Sequence, residues 1–92
     1  MLDFEWDDVK ARANLAKHGV SFEEAKKAFD DPWAFTRYDD RFDYGEDRYV
    51  VVGQSASRIL TIVYTERGER IRIIAAWPAT RDEADAYYEN TR

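Results

Sequence analysis

Cysteine is absent from this chain of 92 residues, and histidine occurs once, at His18. The first absence excludes disulfides and thiolate metal sites, and the second excludes a His-rich one. No apolar run approaches the ~20 residues that a membrane-spanning helix needs. The start, Met1-Leu2-Asp3-Phe4-Glu5, has none of the basic, apolar and small-residue regions of a signal peptide, so a cytoplasmic location is expected. Repeats, linkers and low-complexity tracts are missing, as are the G-x-x-x-x-G-K-S/T, G-x-S-x-G and H-E-x-x-H patterns. No cofactor motif is present.

What remains describes one folded domain, 1–92. Hydrophobic residues make up 45% and aromatics 15%, enough for a modest core. The net charge of −5 argues against nucleic-acid binding driven by overall charge. A local cationic site is still open, because Arg67, Arg70 and Arg72 crowd into six residues.

Leu2 to Trp6 alternates and predicts a short first strand. Asp7 or Asp8 caps a helix to about His18, with Val9, Ala13 and Ala16 as its apolar stripe and Ala11 and Leu15 beside it. Gly19 is placed to end it. Ser21 and Glu24 form an S-x-x-E capping box for a second helix with Phe22, Ala25, Ala28 and Phe29 as its buried face. Asp30-Asp31-Pro32 stops that helix. Trp33–Tyr38, Arg48–Gly53, Ile59–Thr65 and Arg70–Ala76 read as strands. Thr80 and Glu83 box a terminal helix carrying Ala84, Tyr87 and Tyr88. The class is α+β, with N-terminal helices and a C-terminal helix on a mainly antiparallel sheet.

Four-residue hairpin loops, Gln54–Ser57 and Glu66–Glu69, would set Thr65 against Arg70 and Val63 against both Arg48 and Arg72. Side chains alternate along a strand. One face then carries Tyr49, Val51, Leu60, Ile62, Tyr64, Ile71 and Ile73 as core. The other carries Arg48, Thr61, Val63, Thr65, Arg70 and Arg72.

Three groups have chemical potential. Lys17 and His18 could move protons or contact phosphate, or simply cap a helix whose C-terminus favours positive charge. Arg48, Arg67, Arg70 and Arg72 offer bidentate donors for phosphate, or pair with Glu46, Asp47, Glu66 and Glu69 on a solvated face. Trp77 and Tyr88 could stack on bases, or belong to core and interface. The acids of Tyr38–Tyr44 lack the spacing of a Ca²⁺ loop.

The chain also resembles the BrnT family of type II toxins. The resemblance is carried by Phe4-Glu5-Trp6-Asp7, Asn14, Lys17-His18-Gly19-Val20-Ser21-Phe22-Glu23-Glu24-Ala25 and Phe29-Asp30-Asp31-Pro32. It continues through Glu46-Asp47-Arg48-Tyr49, Gly53, Arg58-Ile59-Leu60, Tyr64-Thr65-Glu66-Arg67-Gly68, Ile71-Arg72-Ile73-Ile74, and Ala79-Thr80 with Glu83 and Tyr88. It implies a RelE-like fold and a metal-independent ribonuclease that cleaves RNA and inhibits translation. It further implies neutralisation by a BrnA-like ribbon-helix-helix antitoxin, through which alone operator DNA would be bound. It places the RNA site among Lys17, His18, Arg48, Glu66, Arg67 and Arg72, the candidates for catalysis; the arginine cluster and the aromatic reading add Arg70, Trp77 and Tyr88 as RNA contacts.

One segment departs from the family pattern. Ala75-Ala76-Trp77-Pro78 stands where the family reads Ser-Ala-Arg and a further basic residue. That substitution motivates an alternative expectation: a catalytically weakened module that binds the antitoxin and co-represses.

Overall fold

The computed structural model describes residues 2–91. Its elements are β1 (Asp3–Glu5), α1 (Asp8–His18), α2 (Phe22–Lys26) continued by a 3₁₀ turn (Lys27–Asp30), β2 (Phe35–Tyr38), β3 (Tyr49–Ser55), β4 (Arg58–Arg67), β5 (Arg70–Pro78) and α3 (Arg81–Asn90). The strands form one sheet in the order β1-β5-β4-β3-β2. Every pairing is antiparallel except β1 with β5. This is the α+β class expected, in an arrangement consistent with a RelE-like fold.

The hairpins are tighter than the sequence suggested. Ser55 pairs with Arg58 and Arg67 with Arg70, leaving two-residue turns at Ala56-Ser57 and Gly68-Glu69. The first turn residue has positive φ in each, 52° at Ala56 and 61° at Gly68, which matches the twist of the strands. Both registers therefore move by two residues. A shift of two preserves which side chains share a face, so the expected core face stands. Its partners change: Thr65, not Val63, pairs with Arg72, and Arg48 continues the β3 ladder opposite Thr65.

Val51, Leu60, Ile62, Ile71 and Ile73 on that core face meet Val20, Phe22, Ala25 and Ala28 from the helical side. Edge-to-face pairs close the layer, Phe4 with Phe29 at 5.1 Å and Phe29 with Tyr64 at 5.2 Å. Gly53 lets the sheet approach the 3₁₀ turn. A Cβ there would lie 2.7 Å from the Ala28 carbonyl oxygen and 2.9 Å from Ala34 Cβ.

A β-bulge interrupts β5. Tyr64 pairs with Ile73 but Val63 with Ala75, leaving Ile74 as the extra residue. The bulge flips the alternation, so Ala76 enters the core while Trp77 joins Thr61 on the opposite face.

Two expectations about the helices need correction. The stripe Val9, Ala13 and Ala16 is exposed rather than buried, with Val9 at 63%. The inward face of α1 centres instead on buried Asn14, with Ala11 and His18 half-buried beside it. The reason is position. β1 covers only Arg70–Arg72 of β5, so beyond it β5 has a free edge. Asn14 Nδ2 donates to Ala76 O at 2.8 Å and to Val20 O at 3.0 Å, and Asn14 Oδ1 accepts from Ala76 N at 3.1 Å. Backbone groups of an uncovered strand need such partners.

The second correction concerns the capping box of α2, which forms only by half. Ser21 Oγ accepts from Glu24 N, but the Glu24 carboxylate turns to Arg58, at 2.7 Å from Nε and 2.6 Å from Nη2. Arg58 Nη2 also reaches Gly19 O at 2.9 Å. The Thr80–Glu83 box of α3 is complete.

α3 packs on the second face of the sheet. Its buried Tyr87 donates to Asp31 Oδ2 at 2.6 Å, and Asn90 donates to Trp33 O at 3.2 Å. Burial and the Asp31 carboxylate push the Tyr87 phenol up to about 12. At the other end of α3, Trp77 Nε1 donates to Glu83 Oε1 at 3.1 Å. The helix thus crosses the half of this face that holds Thr61 and Trp77. The half nearer the Gly68-Glu69 turn is left for the arginines.

Candidate functional site

Alternation and register place Arg48, Arg67, Arg70 and Arg72 on that second face. Arg37 of β2, opposite Val50, joins them there. Arg37 was not singled out from the sequence. The signal for it lay in the β2 alternation, which becomes readable only once β2 is registered on β3. Buried Val50, Val63 and Thr65 form the floor between the arginines.

Three of the arginines are held by carboxylates. Glu46 bridges two of them, with Oε2 3.2 Å from Arg48 Nε and Oε1 3.6 Å from Arg67 Nη2. Arg72 Nη1 lies 2.7 Å from Glu5 Oε2, across the parallel β1–β5 pairing. The carboxylate partners foreseen on the sequence thus materialise in one case, Glu46, and a different one, Glu5, completes the set. Arg37 and Arg70 have no ion pair among the described residues.

Behind Arg48 stands the loop between β2 and β3. Its guanidinium carbon lies 4.0 Å from the centroid of the Tyr44 ring, within cation–π range. Tyr44 Oη in turn donates to Asp39 Oδ2 at 3.1 Å. Asp39 is buried and takes a two-pronged contact from Arg41, at 2.8 Å from Nε and 3.0 Å from Nη2. Arg41 leads, with the Arg41 N–H and the Tyr44 hydroxyl adding to it, in holding the Asp39 carboxyl at about 2 against the opposing effect of burial. A fixed carboxylate therefore orients Tyr44, and Tyr44 backs Arg48. Neither Asp39 nor Tyr44 was legible as part of a site, because no periodicity marks such a knot.

The other candidates are elsewhere. Glu66 pairs with Ile71 and so points to the opposite face from Arg67. Lys17 is exposed on α1. His18 rests against Trp77, ring centroids 6.0 Å apart. Trp77 pairs with Thr61 and Arg72 with Thr65, so four residues of β4, about 13 Å, separate the two rows. Lys17, His18 and Glu66 are thus not brought to the arginine face. Tyr88 is 55% exposed on α3, beside Tyr87.

At the Trp77 end, Glu83 gathers several donors. Burial would raise its carboxyl, but the hydrogen bonds led by the Thr80 N–H and the Trp77 indole outweigh it and hold it below the ordinary range. Trp77 is therefore committed to Glu83, and its ring closes the end of α3 over the sheet. Among the described residues, no group of three or more His, Cys, Asp or Glu side chains is placed to hold a metal ion. No helix among them is long and apolar enough to cross a membrane.

Five guanidinium groups on one sheet face, two of them sharing a single carboxylate, suit the binding of a polyanion through its phosphates. Compared with known families, residues 6–83 match the model described as "Ribonuclease toxin, BrnT, of type II toxin-antitoxin system". No curated protein matches the chain.

Proposed function

The chain belongs to the BrnT family of ribonuclease toxins of type II toxin–antitoxin systems, and from that membership we propose that it cleaves RNA on its arginine-bearing sheet face. The observation that carries this reading is the convergence of Arg48 and Arg67 on Glu46, with Arg70 and Arg72 in neighbouring rows.

In this reading the phosphate of the scissile link displaces Glu46 from the two guanidiniums. Arg48 and Arg67 then stabilise the charge that builds on its oxygens during attack by the neighbouring 2′-hydroxyl. Glu46, released but still adjacent, accepts the hydroxyl proton as the P–O5′ bond breaks; a 2′,3′-cyclic phosphate forms, and the departing 5′-oxygen takes its proton from water. Arg70 and Arg72 hold flanking phosphates, while Trp77 and Tyr88 are stacking surfaces toward the α3 end. Lys17, His18 and Glu66 have no direct part. No metal is required in this scheme. Loss of message would inhibit translation, a BrnA-like antitoxin would neutralise the chain, and operator DNA would be bound through that antitoxin.

Purified chain should degrade single-stranded RNA. Arg48→Ala and Arg67→Ala should slow this by about 100-fold, the cost typical of losing one charge-stabilising donor. His18→Ala and Glu66→Ala should remain close to wild type. Folded arginine variants that cleave normally would sink the assignment.

The second reading, a binding module with weakened cleavage, is favoured by the Trp77–Glu83 contact, which puts an indole where the family pattern has a cation. Wild type would then leave RNA intact, and Ala75→Ser with Trp77→Arg would restore cleavage.

A further inference from the structure

α1 is turned inside out. Its polar Asn14 faces the sheet, and Val9, Ala13 and Ala16 face solvent. At about 100° per residue, that trio forms a straight seam opposite Asn14 and His18. Lys10 and Lys17, seven residues apart, share one flank of the seam, and Arg12 occupies the other. None of the three cations forms an ion pair among the described residues. In a chain of net charge −5, this helix carries three cations against one acid, Asp8, around an apolar centre. A hollow of about 170 Å³ opens here, its apolar lining from Trp6, Ala11, Leu15 and Phe22 and its polar lining from Arg12, Ser21 and Glu23, with Leu15 itself 51% exposed.

We propose that this face is the docking surface for an amphipathic helix of the antitoxin, one with an apolar seam and acidic flanks. The proposal rests on the toxin–antitoxin reading of the chain, not on the arginine face. Alanines at the seam let a second helix axis approach to about 8 Å, the close end of helix packing. Val9 and Leu15 supply apolar contact, and the hollow accepts one large side chain in the manner of helix-in-groove recognition. Charge selects the occupant. A second copy of α1 would set lysines and arginine against one another, whereas an acidic helix meets all three cations. RNA would gain the cations but bury nothing on Val9, Ala13 and Ala16. The surface lies on the helical side of the sheet, so the antitoxin can hold the toxin by one face while the arginines lie on the other.

The test uses the full chain and two probes: the protein that neutralises it on co-expression, and a 20-residue helical peptide with a leucine seam and glutamate flanks. Val9→Asp with Leu15→Asp, and separately Lys10→Glu with Lys17→Glu, alter exposed side chains only. Each pair should weaken both probes at least 30-fold, and binding of wild type should weaken with added salt. Arg70→Ala and Arg72→Ala should leave affinity unchanged even where RNA cleavage is lost, which separates this proposal from the active-face reading. It is overturned if the α1 variants bind the neutraliser like wild type, if the arginine variants are the ones that release it, or if a peptide with lysine flanks binds as well. An RNA oligonucleotide that binds wild type and is lost by Val9→Asp with Leu15→Asp would also overturn it.

Discussion

Asn14 completes the edge of β5 by gripping both the N–H and the C=O of Ala76, at 3.1 and 2.8 Å. A side-chain amide thereby does what a neighbouring strand would do, and it fixes α1 to the sheet end where Trp77 follows. Asn14→Ala leaves these groups and Val20 O without their partner inside the protein. It should cost about 2–4 kcal/mol, or a fall in Tm on the order of 10–20 °C. Asn14→Asp should be similarly harmful, since it removes both donated bonds. Thermal unfolding followed by circular dichroism reads this directly, and a shift below a few degrees would contradict it.

Gly53 is required for space. Gly53→Ala places a methyl against the Ala28 carbonyl and Ala34 Cβ. Backbone cannot yield as a flexible side chain does, so a loss of about 1–3 kcal/mol is expected in urea unfolding. An unchanged midpoint would mean that the 3₁₀ turn can retreat from the sheet.

Acid should loosen the loop behind Arg48 late. The Asp39 carboxyl is held at about 2 in the folded chain, below its unfolded value near 3.8. A depressed folded pKa adds stability that is fully present above pH 4 and is lost as pH falls toward 2, here about 2 kcal/mol. Asp39→Asn should lower stability at pH 7 and flatten the pH dependence between 4 and 2. Parallel wild-type and variant curves across that window would refute the role.

Tyr44 separates two contributions to Arg48. Tyr44→Phe keeps the ring under the guanidinium and loses the Asp39 bond, whereas Tyr44→Leu loses both. Cleavage of RNA should fall about tenfold or more in the leucine variant, as expected when a charged group is left unpositioned, and much less in the phenylalanine variant. Single-turnover rates compare them, and equal effects would assign the work to the hydroxyl instead.

Glu46→Gln should bind RNA more tightly yet cleave it more slowly. Freeing Arg48 and Arg67 should steepen the dependence of log affinity on log salt by about 1. If binding and cleavage rise together, Glu46 is only a counter-ion and not the proton acceptor.

The sheet was legible from the sequence because strand alternation survives a register error of two. Tyr49, Val51, Leu60 and Ile71 share a face whether the loops hold four residues or two. The arginine face followed from the same parity. α1 was misread because its hydropathy pattern describes a face that is not buried by this chain, while a polar residue is drawn inward by an unpaired strand edge. The bulge at Ile74 was invisible, since nothing in Ile73-Ile74-Ala75-Ala76 marks which residue is extra. The residues themselves marked Arg48, Arg67, Arg70 and Arg72 as phosphate-binding candidates, the family resemblance grouped three of them with Lys17, His18 and Glu66, and the geometry divides the two sets.

The parallel pairing of β1 with β5 has a consequence in time. Glu5 meets Arg72 across 67 positions of chain, and Asn14 meets Ala76 across 62. Contacts of such separation close late, because the intervening loop entropy must be overcome first. The β1 and α1 residues are therefore among the last to find their places, after the β3–β4–β5 hairpins that receive them. On the readings proposed above, the α1 seam is anchored and the Glu5–Arg72 pair on the arginine face is made only when these closures occur, so both surfaces mature at the end of folding.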